Sequence, residues 1–264
     1  MIQGPVLITG ASKGIGRALA AALAARGIPV IGTSRDPKTV ALPVPGVRYL
    51  TLDQGNDKSI DACVEAAGPV EVLVNNAGQS QIGPVEDVSM EAVEEMFRMN
   101  LLGLIRLTKA FLPAMREKGH GTIINIGSLT GTFPPPFQSA YAATKLGLEA
   151  FTKALRQEVG KRGVKVSLVV PGYIKTYIEP RMIVSPESVY GHEMTAFRLA
   201  RDKKMEKASP VEMAAVKIIK VMEKKNPGPV YYAGHLVPAM GFLKRLLPEK
   251  TAQKMIRGFY HLDR

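Results

Sequence analysis

The sequence predicts an α/β fold, a doubly wound parallel sheet of about seven strands with helices on both faces. Three observations predict it. Short β-rich runs alternate with longer helical stretches along the chain, the strand-like runs are apolar without alternating, and a glycine-rich turn joins the first strand to the first helix. Strands buried on both faces read as continuous apolar runs, as a parallel sheet covered by helices requires.

The first strand is expected at Val6 to Thr9, the first helix at Gly14 to Arg26 and the second strand at Val30 to Thr33, followed by a turn at Pro43 and Pro45. Arg48 to Leu52 reads as a strand, Asp57 to Ala67 as a helix, Val70 to Asn75 as a strand and Met90 to Lys118 as one long helix. A strand at Thr122 to Ile126, a helix from Gln138 to Lys161, a strand at Val164 to Val170, a helix from Pro210 to Lys225 and a last strand near Val230 to Tyr232 complete the alternation. No boundary interrupts it, so residues 1–264 are expected to form a single domain. Two stretches do not fit the repeating unit: Tyr173 to Ser209 and the extension after Gly234. Ligands of open parallel sheets bind outside the carboxyl ends of the strands, which places residues 173–209 to cover a site.

Composition narrows the function classes. Hydrophobic residues make up 46% and charged residues 22% of the 264, the balance of a globular protein and not of a disordered one. Cys63 is the only cysteine, so there is no internal disulfide or thiolate zinc cluster, and a reducing, cytoplasmic setting is expected. The four histidines are far apart in sequence, and no metal site is expected. The apolar segment Pro5 to Ile8 begins too close to Met1 for a signal peptide. Arg106 and Lys109 interrupt the longest apolar run, around Leu101 to Leu112, so no membrane span is expected. A net charge of +12 raises affinity for polyanions, but the basic residues are scattered and not interleaved with aromatics. A solvated basic face accounts for them, and no nucleic-acid partner is expected.

The turn Thr9 to Gly16 carries Gly10, Ser12, Lys13, Gly14, Ile15 and Gly16 in a Gly-x-x-x-Gly-x-Gly pattern directly before a helix. Free amide hydrogens and the positive dipole end at such a helix start would bind a pyrophosphate, although a purely structural turn also uses glycines. The second strand ends without the acidic residue that would bind an adenosine ribose hydroxyl, and offers Arg35. A guanidinium there, with Lys13, would pair with a 2′-phosphate and so favours NADP(H), while Asp36 argues mildly the other way.

Among the eight tyrosines only Tyr141 has a lysine, Lys145, four residues on, on the same face of a predicted helix. A phenol is a poor base near neutral pH, and a neighbouring ammonium would lower its pKa. Taken alone the pair could equally be a solvent-facing tyrosine and lysine. Ser128 stands thirteen residues earlier, at a predicted carboxyl strand end, where its hydroxyl could donate to a substrate oxygen. Asn100, within the long helix, needs a hydrogen-bonding reason, satisfied either by the core or by a functional role.

In order, the glycine turn, Asn75-Asn76-Ala77-Gly78, Asn100, Ser128, Tyr141-x-x-x-Lys145 and Pro171-Gly172 resemble the short-chain dehydrogenase/reductase family, over about Pro5 to Tyr232. The resemblance implies a Rossmann dinucleotide-binding domain and hydride transfer between a nicotinamide ring and a carbonyl or secondary alcohol. It assigns Tyr141 as acid/base, Ser128 to the substrate carbonyl, Lys145 to the nicotinamide ribose and the Tyr141 pKa, and Asn100 to a proton relay. It further assigns Asn76, Ala77 and Gly78 to the adenosine side, Asp53 to the adenine, and Pro171, Gly172, Ile174 and Thr176 to the nicotinamide end. Asp53 could equally cap the turn before Asn56, and Thr176 could be an ordinary loop residue. A catalytically silent NADP-binding scaffold, or a reductase of a different bond, is the rival; an altered catalytic residue would mark the scaffold, and none is altered.

Residues 173–209 hold Tyr173, Tyr177, Met182, Ile183, Val184, Tyr190, Met194, Phe197 and Met205, an apolar supply suited to a lid over a bulky substrate or to packing on the core. Phe133-Pro134-Pro135-Pro136-Phe137 would add a stiff apolar wall. With Ser128, Tyr141 and Tyr173, Phe133 and Phe137 are the candidate substrate contacts. The pattern looks most like the hydroxysteroid and retinol dehydrogenase subgroup, which implies a steroid, retinoid or similar hydrophobic ketone. Residues 241–264 carry six basic and two acidic residues among Phe242, Leu243, Leu246, Leu247, Met255, Ile256, Phe259 and Tyr260. Such a tail could rest on an anionic membrane, cover the site or dock on its own domain. Small Ala142, Ala143, Gly147 and Ala150 on a long helix suit a second subunit, and a homodimer or homotetramer is expected.

Overall fold

A computed structural model describes residues 2–176, 179–235, 237, 239 and 247–262, so Tyr177, Phe242, Leu243 and Leu246 lie outside the described residues. The strands are β1 (Val6–Ile8), β2 (Val30–Ser34), β3 (Val47–Thr51), β4 (Val72–Asn75), β5 (Gln81–Ile82), β6 (Gly121–Ile126), β7 (Val164–Pro171), β8 (Arg181–Met182) and β9 (Val230–Ala233). The helices are α1 (Gly14–Ala24), α2 (Asp57–Ala67), α3 (Met90–Phe97), α4 (Gly103–Glu117), α5 (Leu129–Thr132), α6 (Ser139–Val159), α7 (Gly191–Glu206), α8 (Val211–Met222) and α9 (Glu249–Phe259).

Seven strands form one parallel sheet in the order β3-β2-β1-β4-β6-β7-β9. The order reverses direction between β1 and β4, which opens a crevice at the carboxyl ends of these strands. Val6, Leu7 and Ile8 are fully buried and all six residues of β6 are buried, so apolar runs without alternation do mark strands covered on both faces. One face is covered by α1 and α8 through Leu19, Leu23, Ile218 and Val221. The other is covered by α2, α4 and α6 through Ile60, Leu107, Phe111 and Leu155.

Two features depart from the expected path. The short β5 and β8 form a separate parallel pair, with Ile82 opposite Met182. The helix expected from Met90 to Lys118 is divided by a π-helical turn at Arg98–Leu102. A wider turn of this kind re-aims a side chain, and here it carries Asn100, the buried residue of that segment. No helix among the described residues is long and apolar enough to cross a membrane.

Candidate active site

At the β1–α1 turn, Gly10 and Gly14 have φ of +68° and +57°, where glycine is favoured. A Cβ on Gly16 would press against Gly10 O and stand 2.6 Å from Asn76 Nδ2, so the helix can start this close only with glycine there. The Gly10 amide donates to Thr33 Oγ1 (3.2 Å), and Asn76 Nδ2 donates to Thr9 O (2.9 Å). Thr9 Oγ1 accepts the amides of Asn76 (3.0 Å) and Ala77 (2.8 Å). Asn76 and Ala77 therefore brace the turn from β4. Lys13 sits at the N-cap of α1 in extended conformation and provides no side-chain cap. The first amides of α1 and its positive dipole end thus fit a pyrophosphate.

Arg35 is exposed just beyond β2. Asp36, which argued against a 2′-phosphate, accepts the Lys38 amide at 2.9 Å, so its carboxylate caps a short 3-10 turn. Asp53 Oδ1 accepts the Gly55 amide at 2.9 Å, which realises the turn-capping alternative for one of its oxygens.

The reacting centre forms where β6 ends. Ser128 caps α5, its Oγ accepting the Thr130 amide at 3.2 Å, and it also hydrogen-bonds the Tyr141 phenol. Tyr141 lies in the first turn of α6, with Lys145 one turn on. Lys145 is only 7% exposed, and its Nζ donates to Ile126 O at 3.0 Å, standing 5.9 Å from the centre of the Tyr141 ring. Burial pushes the Tyr141 phenol up, partly offset by the Ser128 hydrogen bond, and burial pulls Lys145 down to about 8. The expectation that Lys145 makes Tyr141 more acidic is therefore reversed. The ammonium turns to a main-chain carbonyl, and burial of the phenol sets the direction.

Asn100 is 1% exposed and fully engaged. Its Oδ1 accepts the Gln79 amide (2.9 Å), while Nδ2 donates to Gln79 O (2.9 Å) and Thr144 Oγ1 (3.3 Å). Thr144 Oγ1 in turn donates to Tyr141 O at 2.7 Å. Asn100 thus ties the chain leaving β4 to the turn of α6 that carries Tyr141. A Cβ on Gly78 would stand 2.9 Å from Asn100 Oδ1 and 3.7 Å from Lys145 Nζ, so Gly78 lets the chain leaving β4 pass close to both. Thr9, Thr33, Gln79 and Thr144 were not singled out from the sequence. Their position at or beyond strand ends was the available signal for the first three.

A crevice of about 920 Å³ runs from Lys13, Ile15 and Asn76 past Gly78, Ser128, Tyr141 and Lys145. Pro171, Gly172, Ile174 and Thr176 line it, as do Phe133 and Tyr173. Phe137 does not. It packs edge-on against Tyr190 and Phe197, at ring separations of 6.1 and 5.7 Å, and so anchors α7. Met182 and Val184 are 44% and 40% exposed, so that part of the apolar supply faces solvent.

The ends of the 173–209 stretch are pinned together, with the Ser209 amide donating to Tyr173 O (2.9 Å) and the Lys175 amide to Ser209 O (2.8 Å). Met194 and Phe197 of α7 pack with Ile82 and Tyr260. Tyr260, just past α9, stacks on Phe197 at 4.4 Å, and its hydroxyl shares a 2.7 Å hydrogen bond with that of Tyr173. Residues of α7 and α9 together form the outer wall of the crevice, so of the alternatives for the tail its helix docks on the protein and covers the site.

A family model described as short chain dehydrogenase matches residues 5–183, ending before α7 and α9. The chain is 38% identical over 180 residues to the ketoacyl reductase HetN of Nostoc sp., spanning 64% of this chain and 63% of that one. It is 33% identical over 265 residues to 3-ketodihydrosphingosine reductase of Bacteroides thetaiotaomicron, covering 97% of both. Among solved structures, a short-chain dehydrogenase from Streptomyces avermitilis superimposes with a TM-score of 0.81 at 31% identity, over 96% of this chain and 97% of that one.

Proposed function

The chain belongs to the short-chain dehydrogenase/reductase family of NAD(P)H-using oxidoreductases, and from that premise we propose that it is an NADP(H)-dependent reductase of a ketone or aldehyde group on a bulky hydrophobic molecule. One observation carries the reading: the Tyr141 phenol, kept protonated by burial and hydrogen-bonded to Ser128, lines a large crevice that begins at an uncapped helix amino terminus.

Ser12, Lys13 and the amides of Gly14, Ile15 and Gly16 would hold the pyrophosphate, with Arg35 and Lys13 on a 2′-phosphate. Lys145 would take the nicotinamide ribose, and Pro171, Gly172, Ile174 and Thr176 the nicotinamide end. When bound, the cofactor supplies the hydride. Ser128 donates to the substrate carbonyl oxygen and orients it, and Tyr141 delivers its phenolic proton to that same oxygen as charge develops there. A phenol pushed up in pKa is in its acid form at neutral pH, which suits the reducing direction. Asn100 acts as a positioning residue, through Gln79 and Thr144.

Residues 1–264 would act as one dinucleotide-binding domain, with 173–209 as a lid and the extension from about 234 closing its outer end. Phe133, Pro135, Met205, Met255 and Ile256 give the crevice an apolar wall. The names of the relatives, ketoacyl and 3-ketodihydrosphingosine reductase, favour an aliphatic ketone over a steroid or retinoid. Leu102 and Leu146, 55% and 54% exposed beside α4 and on α6, support a homodimeric contact there.

The test is oxidation of NADPH and NADH by the full chain with long-chain keto lipids, steroids, retinal and aryl ketones. Turnover of at least one bulky ketone is expected. Cofactor binding with no oxidation across the panel would favour the silent scaffold. Arg35→Glu is expected to lower the preference for NADPH over NADH by roughly ten- to a hundredfold, because a charge-assisted hydrogen bond is replaced by repulsion. An unchanged ratio of kcat/KM values would remove Arg35 from the 2′-phosphate site.

A further inference from the structure

We propose that the substrate carries an anionic group, a carboxylate or a phosphate, held by Lys203 and Lys207 at the carboxyl end of α7, where it borders the crevice; this rests on the reading of the crevice as a ketone-reduction site. α7 begins with an ordinary buried face, Met194, Phe197 and Ala200 at three-residue spacing. Continued at helical spacing from Ala200, the same side of the helix brings up Lys203, Lys204 and Lys207. Lys203 and Lys204 lie in the last turn, where the helix dipole favours cations, and Lys207 follows it; all three meet the cavity.

The charge around the crevice is one-sided. Lys13, Lys145, Arg201, Lys203, Lys204 and Lys207 line it, and no aspartate or glutamate does among the described residues. Lys13 sits at the glycine turn, and three of the other five are engaged. Lys145 donates to Ile126 O beside Tyr141. Arg201 pairs with Asp202 at 3.1 Å, and Lys204 donates to Phe259 O at 2.6 Å while standing over the Phe259 ring. Burial pulls Lys204 down to about 8. Lys203 and Lys207 are exposed, and no ion pair among the described residues joins either to an acid.

The lysines that line this wall repel one another, and an anionic ligand group in the crevice relieves that cost. The pyrophosphate site is the amino end of α1, whereas α7 packs through Met194, Phe197 and Ala200 with Ile82, Phe137 and Tyr260. Met205, Met255 and Ile256 line the same part of the crevice. The complementary ligand is therefore an amphiphile, with an apolar body toward Tyr141 and a charged end at α7.

The test compares three ketones with one aliphatic body, ending in a methyl ester, a free carboxylate or a phosphate monoester, reduced by the full chain and by a Lys203→Gln/Lys207→Gln variant. For the wild-type chain, KM for at least one anionic ketone is expected to lie about tenfold below that of the ester, with kcat similar. The double variant and added salt are each expected to remove that advantage and leave the ester unaffected; the lower KM of the two acids identifies the carboxylate or the phosphate. Equal KM values for ester and acids, or a variant that shifts all three alike, would overturn the anionic subsite while leaving ketone reduction standing. No turnover of any ketone with either cofactor would overturn both.

Discussion

Replacing Tyr141 by phenylalanine is expected to lower kcat for ketone reduction by about a thousandfold, within the range a positioned general acid supplies. The dissociation constant for NADPH should move by less than about twofold, because the ring stays and only the proton donor is lost. Ser128 keeps the Thr130 amide as a partner, so the change leaves no stranded cap. The pH dependence has a definite sign. Burial pushes the phenol up, so its acid form persists through neutral pH and reduction should stay flat there. Oxidation of the product alcohol needs the phenolate, so its rate should climb as pH rises. Steady-state kinetics in both directions, with a cofactor titration of the variant, checks both statements. Retained reduction in Tyr141→Phe would reject the assigned proton donor.

Lys145→Met is expected to abolish turnover and at the same time stabilise the fold. An ammonium that is 7% exposed, with one carbonyl as its recorded partner, costs solvation that a methionine does not. Its pKa falls from 10.5 to about 8 on folding, and at about 1.4 kcal/mol per unit the buried charge costs up to about 3 kcal/mol. Loss of the hydrogen bond to Ile126 O returns part of this, leaving a net gain of about 1–2 kcal/mol near pH 7. Below pH 8 both folded and unfolded chains hold the proton, and the wild type bears the full cost. Between about 8 and 10.5 the folded chain releases it first, so wild-type stability rises with pH and the advantage of the variant fades. Denaturant unfolding of both chains at several pH values reads this directly. A variant less stable than wild type throughout would mean that the lysine is better satisfied than its surroundings indicate. Activity and stability are then opposed at one residue, as expected where a site holds a charge that its packing disfavours.

Most of the fold was legible because its signals are local. Every strand of the main sheet was readable, β3 as a β-rich run with Arg48 and Thr51 and the others from their apolar residues, and the path from β1 through the glycine turn to α1 followed from glycine placement. Elements carried by few residues were not. β5 and β8 are two residues each, too short for any periodicity, and exist only because residues 181–182 return to lie beside residues 81–82. The π turn left no mark in a helical stretch that is periodic on both sides, and the main chain that its Asn100 meets, at Gln79, lies about twenty residues away. The packing of Phe137 was hidden for a similar reason. Proximity in sequence to Ser128 and Tyr141 suggested the substrate wall, and nothing local showed that its φ of +63° turns it toward Phe197.

What the sequence by itself determined is the set of reacting groups and their order: a phenol and an amine one helical turn apart, a hydroxyl at a strand end, and glycines where a phosphate-binding turn needs them. Spacing along a helix or strand is enough to specify that much, because those distances follow from backbone geometry. Tertiary structure alone decided the electrical state of the site and its cover. Whether Tyr141 is acidified or kept protonated depends on how much water reaches it, and that is summed over neighbours from β6, α5 and α6. Whether α9 closes the crevice depends on Tyr260 meeting Phe197 and Tyr173, 63 and 87 residues away in the chain. Solvation and long-range contact are properties of the folded surface, and no window of residues carries them.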